Sequence, residues 1–184
     1  MKRKTIVLFL VLVVAMLLGA TLLWRRLNWK EYPSSVREKF HENRTLFDDL
    51  IHITSKAGFS LEAGPDYVRT DGATYRVTET GDWSSSDGPN IGFEELLHRG
   101  SLSPRDYSVM MSVIEIFEAK CVRRILFTTW SIEVVLKEPS GWPGGTSYSI
   151  LWDPHEPWEN GGHDPRYDKL VDFGGDWYWR KDRW

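Results

Sequence analysis

The sequence predicts an α+β fold: two amphipathic helices packed on an antiparallel β-meander of about four strands, with a small extra hairpin, preceded by one N-terminal transmembrane helix. Three observations carry this expectation. A charge-free apolar run fills residues 5–24, two later stretches repeat apolar residues at helical spacing, and the C-terminal third is dense in β-branched and aromatic residues separated by Gly- and Pro-rich turns.

The apolar run reads "TIVLFLVLVVAMLLGATLLW". Twenty residues in a helix rise about 30 Å, the thickness of a bilayer core. A soluble helix of that length would show a polar stripe, and this one has none. A cleaved signal peptide has an apolar region of about 7–15 residues ending in small residues. Here the run is longer, Leu18 spoils the small-residue site at Gly19-Ala20, and Trp24 followed by Arg25 and Arg26 suits a membrane interface. A retained signal anchor is therefore expected. Basic residues flank the run on both sides, and the very short N-terminus favours an N-in orientation with the domain outside the cytoplasm. The expected organisation is a basic N-terminus at 1–4, an anchor at 5–24, a juxtamembrane linker at 25–33 and an extracytoplasmic domain at 34–184.

Six of the 23 basic residues precede Glu31, so the remainder of the chain sets 17 basic against 26 acidic residues, a formal charge of −9. Such a surface repels phosphate backbones, which argues against nucleic-acid binding. A single cysteine excludes an internal disulfide. Cys121 lies between Phe117 and Ile125, an apolar context that predicts buried packing.

The first amphipathic helix is expected at 35–57. Ser35 and Glu38 form a capping-box pattern, Val36, Phe40, Phe47, Leu50, Ile51 and Thr54 share one face, and Gly58 is a natural stop. "DYVRT" and "TYRVTET" flank Asp71-Gly72 and predict the small hairpin. Residues 81–92 read as a polar loop containing Trp83, and "FEELLH" (93–98) as a short helical turn. The second helix is expected at 104–119, capped by Ser103 with Pro104 at its first position and Asp106 completing the box; Tyr107, Met110, Met111, Ile114 and Phe117 line its inner face.

Four strands follow in "RRILFTT", "SIEVVLKE", "TSYSILWD" and "GDWYWRKD". Tyr148, Ile150 and Trp152 share one face, as do Trp177 and Trp179, which places them in the core with Trp130. Residues 153–175 are expected to form one long connection before the last strand.

That connection holds "HEPWENGGHD", where His155, Glu156, His163, Asp164 and Asp168 could gather around a divalent cation. The spacing fits no compact ligand pattern, and Pro157 discourages the helix that HExxH needs. A solvated loop is the expected reading. Motifs for a serine nucleophile, a phosphate loop or a dinucleotide fold are absent. Trp142, Trp158 and Trp184 fall in loops or at the chain end, where exposed tryptophans can anchor a partner or stack on sugars. Asn43-Arg44-Thr45 matches a glycosylation sequon within the first helix.

The functional expectation is a membrane-anchored, extracytoplasmic interaction module of accessory or immunity type, without catalytic activity or cofactor. Its partners would be the membrane, through the N-terminal helix, and a protein or cell-envelope component, but not nucleic acid. A metal-dependent hydrolase centred on 155–168 and a glycan binder using the loop tryptophans are the alternatives.

Overall fold

The structure, a computed structural model, describes residues 3–56, 61–70, 73–77, 83–85, 91–99, 101–126, 130–138, 145–154 and 169–183, without the side chains of 3–10, 26, 77, 125, 126, 130 and 183. The architecture is α+β. Among the described residues there are five α-helices: α1 (Arg3–Leu27), α2 (Pro33–Glu42), α3 (Arg44–Lys56), α4 (Phe93–Arg99) and α5 (Pro104–Phe117). A 3₁₀ turn at Trp29–Glu31 joins α1 to α2.

The nine strands among the described residues are β1 (Glu62–Ala63), β2 (Tyr67–Thr70), β3 (Ala73–Val77), β4 (Trp83–Ser85), β5 (Cys121–Leu126), β6 (Trp130–Lys137), β7 (Thr146–Trp152), β8 (Lys169–Gly174) and β9 (Trp177–Arg183). They form one antiparallel sheet in the order β4-β3-β2-β1-β5-β6-β7-β9-β8.

The sheet is larger than the sequence predicts, and its C-terminal half is not a simple meander. Residues 169–174, expected as connection, form edge strand β8, and β9 inserts between β7 and β8. Lys-Leu-Val-Asp-Phe-Gly is too short and mixed to stand out as a strand until its pairing with the aromatic β9 is seen. Its reversal into β9 uses Gly175 and Asp176, both left-handed, at φ 63° and 64°. Successive positive φ values match the twist of a tight hairpin. A Cβ on Gly175 would also stand 2.5 Å from Nη2 of Arg44.

The expected hairpin is present as β2–β3, with Thr70 opposite Ala73. Strands β1 and β4 extend it on either side, and β1 joins it to β5. Trp83, expected in a polar loop, starts β4 and is buried, with backbone hydrogen bonds to Ile91 in both directions.

The first amphipathic helix is two helices. Asn43 leaves the helical region at φ −117°, ψ 23°; its backbone N–H donates to the Phe40 carbonyl at 3.1 Å and its side-chain amide to the Lys39 carbonyl at 2.8 Å, closing α2. Nor is Ser35 its cap: the helix starts at Pro33 behind Tyr32, with no side-chain cap hydrogen bond. Proline at the first helical position, pre-set in φ, starts the helix two residues earlier. Of the apolar face, Val36, Phe40, Phe47, Leu50 and Thr54 are buried; Ile53 is buried instead of Ile51, because the break re-aims α3. The Asn43 sequon therefore sits at a break between helices. Helix α5 begins as its sequence predicts, with the complete Ser103–Asp106 capping box, and ends at Phe117 with Glu118 left-handed.

Helices α2, α3 and α5 pack on one face of the sheet. Alternation along β6, β7 and β9 sends Ile132, Val134, Leu136, Ile150, Trp152, Trp177 and Trp179 into this layer. At its centre the Phe47 ring lies 4.7 Å from Phe40, 5.2 Å from Phe117 and 4.9 Å from Trp177, the last two edge to face.

Among the described residues no helix is long and apolar enough to cross a membrane. The transmembrane anchor expected at 5–24 thus gains no support from the described part of α1 and is taken up below only as a proposal.

Phe47→Ala is expected to lower the unfolding free energy by about 3–5 kcal/mol, since it removes a fully buried ring that joins three elements. Urea denaturation measures this; a loss below about 1 kcal/mol would show that the aromatic junction does not organise the helical layer.

Candidate functional site

Among the described residues, every large hydrophobic side chain that is strongly exposed belongs to α1, apart from the borderline Phe93 at 36%. Met16, Leu22 and Leu27 are 74%, 68% and 71% exposed. The other described elements bury or half-bury such residues, so α1 presents the largest exposed apolar surface among the described residues.

The turn that follows α1 is held tightly. Trp29 packs against the core with its ring 6.1 Å from Phe117. The Trp179 indole donates to the Lys30 carbonyl at 3.1 Å. Lys30 donates to the Glu118 carbonyl at 2.6 Å and pairs with its carboxylate at 3.3 Å. Lys137 reaches Glu31 at 2.9 Å. Burial lowers the pKa of Lys30 despite the opposing pull of Glu118. Three consecutive residues are thus fastened to α5, β6 and β9, so α1 leaves the domain from a fixed point.

Beside this turn lies an open groove of about 560 Å³ between the end of α1 and α2. Leu22, Arg25 and Trp29 line one wall, and Ser35, Glu38, Lys39 and Glu42 the other. The Lys39 ammonium stands 4.2 Å from the Trp29 ring centroid, a cation–π contact. Arg25 lies over the Tyr32 ring at 5.5 Å and donates to Ser34 at 3.4 Å.

A second cluster occupies the face of the sheet away from the helices. Glu133, 2% exposed, accepts from Arg123 directly opposite on β5 and from Arg180 on β9. Arg180 also lies 2.9 Å from the buried Asp182 carboxylate. Farther along, the Tyr67 hydroxyl donates to Glu62 at 2.6 Å, and Arg69 pairs with Glu62 at 3.4 Å. A buried acid between two guanidiniums is compensated, and removing either kind of partner would leave a costly buried charge. This arrangement can hold strand register; the groups are committed to one another and leave no acid–base pair to a substrate.

Cys121 belongs to that face and is buried, as the sequence predicts. Burial first, then Glu62, pushes its thiol up to about 11. A third feature is a polar cleft of about 420 Å³ between α3 and α5, lined by Asp49, His52, Lys56 and Arg105 around the Ser103–Asp106 cap. Burial would raise the Asp106 pKa, but hydrogen bonds from Ser103, with Lys56 and His52 nearby, hold it below the usual carboxylate range.

The residues singled out in the sequence fall elsewhere. Trp142, Trp158, Trp184, His155, Glu156, His163, Asp164 and Asp168 all lie outside the described residues. Among the described residues no group of three or more His, Cys, Asp or Glu side chains could hold a metal ion. Of the tryptophans assigned to the core, Trp152, Trp177 and Trp179 are buried there, and the Trp130 side chain is outside the described set. The Glu133 network is absent from the sequence expectations, because Arg180 lies on a strand two places away in the sheet and local spacing does not relate the two. The signal was the placing of Arg123 and Glu133 at positions that face each other across a hairpin.

Comparison of the chain with protein-family models, with curated proteins and with solved structures found no match.

The raised thiol predicts that Cys121 reacts with N-ethylmaleimide at pH 8 about a hundredfold more slowly in the folded chain than in urea, because the thiolate is the nucleophile. Raising the pH towards 11 should narrow the gap. Equal rates at pH 8 would mean that the second face is open to solvent.

Proposed function

We propose that the chain is a membrane-anchored binding module, with α1 as a single-pass anchor and the α+β domain held outside the cytoplasm. The observation that carries this reading is the concentration of exposed apolar side chains on α1. Water is a poor solvent for that surface, and lipid is a good one. The described part of α1 alone is not long and apolar enough to cross a membrane; the span is read from residues 5–24 as a whole, which contain no charged side chain. Trp24 and Arg25 at its end are residue types that settle at a membrane interface.

Anchoring raises the local concentration of the domain for partners at the same membrane. The acidic balance after residue 30 favours a basic partner and disfavours nucleic acid. Trp142, Trp158 and Trp184 are the first residues to substitute once a partner is in hand.

Flotation and carbonate extraction of the full chain test the anchor. The chain should float with liposomes and resist carbonate, whereas the full-length double variant Leu12→Arg, Met16→Arg should fail at both. Placing two arginines near the centre of a span costs about 2.5–3.5 kcal/mol each on insertion scales. A wild-type chain that stays in the aqueous fraction would overturn the reading.

A further inference from the structure

The groove between α1 and α2 combines apolar and charged lining. Leu22, Arg25 and Trp29 recur at i, i+3 and i+7, which puts them on one side of α1 and the turn that continues it. Ser35, Glu38, Lys39 and Glu42 recur at i, i+3, i+4 and i+7 and form one stripe of α2. The two stripes face each other across about 560 Å³. Leu22, 68% exposed, supplies apolar surface. The lining also offers two cations, Arg25 and Lys39, and two carboxylates, Glu38 and Glu42. Although both signs are present, no ion pair joins them among the described residues. Arg25 is engaged by a serine and a tyrosine ring, and Lys39 by aromatic rings.

We infer that this groove seats one phospholipid whose headgroup carries a phosphate and a primary ammonium, a phosphatidylethanolamine-type lipid of the leaflet from which the domain emerges. This rests on the membrane reading above and gives it a specific ligand. Charge complementarity selects this occupant. An acyl chain would run along α1 past Leu22. The phosphate would sit between the Arg25 guanidinium, a planar fork suited to phosphate oxygens, and the Lys39 ammonium. The lipid ammonium would then meet Glu38 and Glu42, with three N–H donors for the carboxylate oxygens. A phosphatidylglycerol headgroup would offer the two cations the same phosphate but meet the two carboxylates with neutral hydroxyls, leaving their charge unbalanced. A choline headgroup would bring the right charge without N–H donors and with greater bulk.

The test uses the full chain in dodecyl maltoside micelles containing equal mole fractions of dioleoyl phosphatidylethanolamine, phosphatidylcholine or phosphatidylglycerol. The melting temperature is the readout, because a ligand that binds only the folded state raises it. Phosphatidylethanolamine should give the largest rise, of several degrees. Arg25→Gln should abolish that rise, and Glu38→Gln with Glu42→Gln should transfer the preference to phosphatidylglycerol. Arg25, Glu38 and Glu42 are exposed, so these variants keep the fold. Equal rises with all three lipids, a largest rise with phosphatidylglycerol in the wild-type chain, or unchanged selectivity in the variants would each overturn the inference. Failure of the membrane reading looks different: the chain would not float with liposomes at all. A chain that floats but shows no lipid preference keeps its anchor and loses this site.

Discussion

Phe40, Phe47, Phe117 and Trp177 come from α2, α3, α5 and β9; Phe47 lies 4.7–5.2 Å from the other three, and Phe40 lies 5.9 Å from Trp177. Each ring buries a large apolar area, and edge-to-face contacts add about 0.5–1.5 kcal/mol per pair beyond that burial. This junction fixes three helices against one sheet face. The break at Asn43 accompanies this packing: in a straight helix residues seven apart rise about 10.5 Å, whereas here the Phe40 and Phe47 rings lie 4.7 Å apart and both pack on Trp177, at 5.9 and 4.9 Å. The edge strand β8 depends on the same packing. Phe173 lies 5.4 Å from Phe40, and Arg37 and Arg44 of the two helices donate to the Asp172 and Gly174 carbonyls. Those arginines cover polar backbone that an edge strand would otherwise offer to another chain.

The aromatic junction also sets where α1 leaves the domain. Phe117 is shared between the core and Trp29, and Trp179, in the same strand as Trp177, holds the Lys30 carbonyl. The turn at Trp29–Glu31 is therefore an extension of the core. If α1 lies in a bilayer, the domain is held at a defined orientation to the membrane surface, with the groove beside Arg25 and Lys39 at headgroup level. A fixed mount of this kind suits a module that must meet a partner in the same membrane, because less orientational freedom is lost on binding.

The legibility of these features varied with their physical origin. The capping box of α5, the β2–β3 hairpin and the alternation of Trp177 and Trp179 rest on local spacing, and each is present in the structure. The division of the first helix at Asn43 was hidden because seven residues separate Phe40 from Phe47, a spacing that also fits one unbroken helix. Strand β8 was hidden because a short mixed segment acquires strand character only from its partner β9. The groove was hidden for another reason. Ser35 and Glu38 read as a cap, and no local spacing relates them to Arg25 until the fastening of Trp29–Glu31 brings α1 alongside. The candidate metal-ligating residues of the 155–168 loop, for which a solvated loop is the expected reading, and Trp142, Trp158 and Trp184 all fall outside the described residues.

The central claim is that α1 lies in lipid while α2 stands at its surface. Nitroxide labels on the full chain in liposomes, after Cys121→Ser, test it most directly: one at position 16, which is 74% exposed on α1, and one at position 41 on α2. Collision rates with oxygen, which partitions into lipid, are compared with those of a water-soluble nickel chelate. A membrane-embedded α1 predicts high oxygen and low nickel accessibility at position 16 and the reverse at position 41. High nickel accessibility at both positions would place α1 in water and contradict the account.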